Sequence, residues 1–101
     1  MLSRVSNLNG VKNQFIITEN TTDIFQSYET LICEIHHASA FIIFYKNPFE
    51  YSATTSKHFL NFLEFETGRK YTRKEVERWI KNGNTGENFL YNTSFDVKVI
   101  S

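Results

Sequence analysis

The 101 residues fit one domain with a single core, and a composition of 41% hydrophobic and 16% aromatic residues, ten of them Phe, excludes a disordered tail. Eleven Lys+Arg balance eleven Asp+Glu, so no global field draws the chain onto nucleic acid or an anionic membrane. The lone cysteine, Cys33, excludes an internal disulfide, and no apolar run approaches the roughly 20 residues that span a bilayer, which together point to a cytoplasmic setting.

The domain is expected to comprise residues 1–101, with a polar, flexible stretch at 1–10 that lacks the apolar core of a signal peptide. Residues 15–18 are β-branched and aromatic, and 24–28 follow a polar pentad at 19–23, which predicts a hairpin. Leu31, Cys33 and Ile35 alternate with Ile32, Glu34 and His36 as a strand does, although Leu31, Ile32 and Ile35 also fit one helical face; strand is favoured. The unbroken apolar run 41–45 reads as a central strand buried on both faces.

After Pro48 the period changes. Thr54, Thr55 and Ser56 offer N-caps for a helix bearing Phe59, Phe62 and Leu63, widened by Leu60 and Phe65 and closing near Gly68. Thr72 and Glu75 have capping-box spacing, with Tyr71 and Val76 set for a hydrophobic staple, and the helix they open carries Val76, Trp79 and Ile80 before Asn82-Gly83 ends it. Phe95, Val97 and Val99 alternate as a last strand whose exposed edge invites self-association, so a homodimer is one expectation. The resulting fold class is α+β, an antiparallel sheet of four to five strands with a two-helix hairpin packed on one face, in the order ββββααβ.

Seven of the eleven basic residues fall in 57–81 against four Glu, which concentrates about three positive charges there. Lys57, Arg69, Lys70, Arg73, Lys74 and Arg78 therefore form the candidate nucleic-acid surface, set beside the plainer reading of a solvated helical hairpin. No metal or other cofactor is expected: Cys33-x-x-His36 is a fragment of a zinc motif, and a strand sends the two side chains to opposite faces. No catalytic residue is assigned, because no nucleophile elbow, glycine-rich loop or paired-carboxylate motif precedes a helix. Ser52, Thr54 and Thr55 are read as capping residues.

Sixteen aromatics exceed what one small core hides, since each covers roughly 150–250 Å². Tyr28, Tyr45, Phe49, Tyr51, Phe89 and Tyr91 are the candidates for a partner-binding surface.

The strings Phe25-Gln26-Ser27-Tyr28, Tyr51-Ser52-Ala53-Thr54-Thr55-Ser56-Lys57-His58 and Phe62-Leu63 resemble a group of short, uncharacterised proteins of bacteriophages and mobile elements over residues 11–83. The chain departs from that pattern at Leu63-Glu64-Phe65, where a glycine is expected, and in its longer tail. The resemblance implies a non-enzymatic accessory protein, made in the cytoplasm of a bacterial host, that binds a host protein or nucleoprotein complex and inhibits or redirects it, with an anti-CRISPR-like or anti-restriction-like target as one form. The alternative is a small nucleic-acid-binding regulator using the basic hairpin 57–81.

Overall fold

The computed structural model of the chain describes residues 3–86 and 88–100. They form strands β1 (Ser3–Asn7), β2 (Gln14–Glu19), β3 (Thr22–Ser27), β4 (Thr30–His36) and β5 (Phe41–Phe44), helices α1 (Ala53–Thr67) and α2 (Arg73–Asn82), and strand β6 (Asp96–Val99). The class is α+β with two helices, as expected. The sheet is six-stranded and mixed rather than antiparallel, in spatial order β1-β2-β3-β4-β5-β6.

Two corrections account for the difference. Residues 3–10, expected to be flexible, form β1 and a 3-10 turn (Leu8–Gly10) whose Leu8 is fully buried, so one apolar side chain ties the segment to the core. β6 pairs with β5 in parallel, because the chain leaves β5, crosses one face of the sheet as two helices and returns in the original direction.

Tight connections link β2, β3 and β4. Asn20 takes a left-handed backbone conformation (φ 54°) in the β2–β3 turn, as Asn tolerates, so the turn is Asn20-Thr21 alone and the polar pentad is mostly strand. In the β3–β4 turn the same conformation falls on Tyr28 (φ 55°), which lies just outside its strand; a bulky residue there is strained.

Ser52, not Thr54, Thr55 or Ser56, caps α1: its hydroxyl accepts from the Thr55 N–H at 3.1 Å. Any of these hydroxyls has the capping chemistry, and the 3-10 turn at Pro48–Glu50 sets the entry one turn earlier. Gly68 ends α1 in the left-handed region (φ 76°). The capping box of α2 is present in both halves, with the Thr72 hydroxyl accepting from the Glu75 N–H and the Glu75 carboxylate accepting from the Thr72 N–H.

Both helices pack on one face of the sheet. Phe62 stacks on Phe25 at 5.4 Å between ring centroids and Phe59 meets Phe44 edge-on at 5.5 Å, while Trp79 sits against Tyr71 and Phe89, and Phe89 against Phe95. A register shift in β4 beside Phe25 and Gln26 lets both Ile32 and Cys33 reach this core. Phe65 turns outward, 58% exposed, and does not widen the buried stripe of α1. No described helix is long and apolar enough to cross a membrane.

Candidate functional site

The face of the sheet away from the helices is uncovered and carries apolar residues along its middle. Ladder partners share a face, so the register aligns Val5, Ile17, Ile24, Glu34, Ile43 and Lys98 in one row across all six strands. Phe15, Gln26 and Leu31 form a parallel row at one end, and Glu19, Thr22, His36 and Phe41 at the other. None of these side chains belongs to the buried core cluster. Val5 is 59% exposed, Leu31 is exposed, and Phe15, Ile17, Ile24, Phe41 and Ile43 are half-buried. A solvated sheet face ordinarily alternates to polar residues; this one keeps isoleucines in its middle row.

That face corrects the reading of residues 41–45. The strand is central, but only Ile42 and Phe44 are buried, and Phe41 and Ile43 point to the open side. A continuous apolar run therefore reports one core face and one uncovered face here, not burial on both.

A polar network is set among the isoleucines. The Tyr45 hydroxyl donates to one carboxylate oxygen of Glu34, the other lies 2.8 Å from His36 Nε2, and Thr22 Oγ1 lies 3.1 Å from His36 Nδ1. Cys33, the next residue in β4, is fully buried on the opposite face, so Cys33 and His36 do not share a ligand site. Burial, aided by the charges of Glu66 and Glu34, pushes the Cys33 thiol up from its ordinary value and holds it as an inert core group.

Of the aromatics expected at a partner surface, Tyr28 (59% exposed) lies at the rim of the open face beside Phe15 and Gln26, and Tyr45 lies on the face itself. Phe49 and Tyr51 sit on the entry to α1, half-buried against the core, with Lys46 over the Tyr51 ring. Phe89 is buried between Trp79 and Phe95 and is no surface residue. Tyr91 is 69% exposed on the turn that follows Leu90, its hydroxyl 3.0 Å from His37 Nδ1.

The basic hairpin is less available than its charge count implies. Arg69 donates to the Tyr71 hydroxyl at 2.9 Å and to the Asn88 carbonyl at 2.5 Å, and Arg73 pairs with Glu77 at 3.1 Å while lying over the Phe49 ring. Lys57, Lys70, Lys74 and Arg78 are exposed. Arg73 and Lys74 do open α2, where free N–H groups point outward, but Glu75 in the same turn already serves the cap.

One further cluster has no precursor in the sequence reading. Asp23 from β3, His37 from the turn after β4 and Glu66 from the end of α1 converge. His37 Nε2 lies 3.0 Å from a Glu66 oxygen and 3.4 Å from Asp23 Oδ2. Thr18 Oγ1 donates to Asp23 Oδ1 at 2.7 Å, and the Tyr91 hydroxyl lies 3.0 Å from His37 Nδ1. Burial raises the Glu66 carboxyl to about 9, with a hydrogen bond to Asp23 and that residue's charge adding to the effect, so Glu66 holds a proton at neutral pH.

A family model described as "Family of unknown function (DUF8033)" matches residues 1–78, and the chain belongs to that family. No curated protein and no solved structure matches the chain. The family match covers every strand of the open face but β6, and ends inside α2.

Proposed function

We propose that this DUF8033 member is a non-enzymatic accessory protein of the phage type, which binds a host protein through the open face of its sheet and inhibits or redirects it. The observation that carries this reading is the uncovered apolar row Val5, Ile17, Ile24 and Ile43, rimmed by Tyr28 and Tyr45. An apolar centre with a polar, aromatic rim is the composition of a protein-protein contact, and the isoleucines would gain roughly 25 cal/mol per Å² of apolar surface covered. The Glu34–His36–Tyr45 network adds directional groups beside the apolar row that select a partner by charge and geometry.

The test is affinity capture from a bacterial host lysate treated with nuclease, comparing the native chain with Ile24→Glu and with the double variant Lys70→Glu, Lys74→Glu. The expected result is a stoichiometric protein that Ile24→Glu loses and the hairpin variant keeps, with both variants remaining folded. Recovery that depends on the hairpin and disappears with nuclease would replace this reading by the nucleic-acid one. Recovery of nothing stoichiometric would end it.

A further inference from the structure

We propose that Asp23, His37 and Glu66 form a divalent transition-metal site, best suited to Zn²⁺, with one imidazole nitrogen, two carboxylate oxygens and a remaining position open to water. The site joins β3, the β4–β5 turn and the end of α1, so an ion there ties the helix to the sheet. It is independent of the open face.

Geometry is the first support. Ligands about 2.0–2.2 Å from a shared cation stand roughly 3.0–3.5 Å from one another. His37 Nε2 is 3.0 Å from Glu66 Oε1 and 3.4 Å from Asp23 Oδ2, and the three ligand atoms all lie within 4.8 Å of each other. A small closing movement of the two carboxylates completes the triangle.

The surroundings are the second support. Metal-bound imidazoles are oriented by a partner on their other nitrogen, and ligating carboxylates by a donor on their other oxygen. Tyr91 stands on His37 Nδ1 and Thr18 on Asp23 Oδ1, which leaves Nε2 and Oδ2 directed at the centre. Tyr91 occupies a left-handed backbone position (φ 55°) in a tight turn, a conformation better suited to Gly or Asn.

Charge is the third. The Glu66 side chain is only 3% exposed and the Asp23 side chain 19%, so two carboxyl groups are drawn together out of water with a single imidazole between them. A divalent cation displaces the proton that Glu66 otherwise holds beside Asp23, and an imidazole with two carboxylates favours zinc over magnesium or calcium.

The experiment titrates Zn²⁺ alone, followed calorimetrically and by melting temperature, into protein stripped with chelator and exchanged into metal-free buffer. One ion is expected to bind with micromolar or tighter affinity and to raise the melting temperature by several degrees. Glu66→Gln keeps the side chain's shape and hydrogen bonding but removes its anionic ligand, and should abolish the stabilisation. Tyr91→Phe should weaken binding by roughly tenfold or more. His58→Gln, on another part of α1, should leave it unchanged. Absence of binding by Zn²⁺ and Mn²⁺, or equal binding by the Glu66→Gln protein, overturns the proposal. If that variant does not fold, X-ray absorption of the zinc-loaded native chain decides: one imidazole nitrogen among oxygens supports the site, and sulfur or an all-water shell refutes it.

Discussion

Ile24 and Phe25 are adjacent in β3 and comparably apolar, yet Phe25 is fully buried under α1 while Ile24 faces away from both helices. The same division runs through the sheet, with Ile16 against Ile17 in β2 and Phe44 against Ile43 in β5. One side is apolar because the fold requires it. The other is apolar without contributing to the buried core, and under the proposed function that difference separates residues that serve stability from residues that serve contact.

The comparison is broken most directly by truncating each face. Phe25→Ala removes a stacked ring from beneath Phe62 and should cost about 3–5 kcal/mol in chemical denaturation, whereas Ile24→Ala should cost about 1 kcal/mol or less. Trp79→Ala, on the helix that closes the covered side, should match Phe25→Ala because its ring is buried against Tyr71 and Phe89. Equal costs for Ile24 and Phe25 would mean that the open face is a second core, and its role as a contact surface would fall.

The covered side was the easier one to read from sequence. Thr72 and Glu75, the two ends of a four-residue capping box, announce α2 locally, and Gly68 and Gly83 mark the helix ends because only a left-handed residue closes them cheaply. The polar string Ser3–Asn7 gives no such signal: β1 is wholly exposed and owes its place to pairing with β2 and to Leu8 beyond it. The direction of β6 is equally silent locally, since alternation of Phe95, Val97 and Val99 is the same for either orientation. Its outer edge, expected to be free, is met by backbone from the loop after α2, with the Val97 N–H donating to Gly83 O and the Thr85 N–H to Phe95 O. The exposed edge lies instead at β1, at the other end of the sheet. The Asp23–His37–Glu66 cluster was invisible for a third reason: its members are ordinary surface types until the fold brings them together, His37 and Glu66 from 29 residues apart in sequence and Asp23 and Glu66 from farther still.

A smaller effect sharpens the account of the covered side. Thr72→Ala removes the hydroxyl that accepts from Glu75 and should cost about 1 kcal/mol, read as a lower midpoint in thermal or chemical unfolding. Because α2 packs on the helical side of the sheet, capture of the partner should survive this loss at a temperature where the variant remains folded. A captured fraction that fell with Thr72→Ala in proportion to stability would instead place the contact on the helices.

A substitution expected to cost no stability is the most discriminating. Tyr28 holds a left-handed backbone conformation that costs a bulky residue roughly 1–2 kcal/mol, and Gly at this position relieves it while giving back roughly 0.4–1 kcal/mol through the looser unfolded chain. Tyr28→Gly should therefore leave the protein as stable as before or up to about 1.5 kcal/mol more so. If Tyr28 is held there to rim the open face, the same variant should bind its partner more weakly, and stability and capture will move in opposite directions. A stabilised variant with undiminished capture would show that the ring contributes nothing to the contact, and would move the rim to Tyr45 and Leu31. Opposite movements are what strain retained for binding produces, since a residue serving the fold alone would be expected to yield to glycine in so tight a turn.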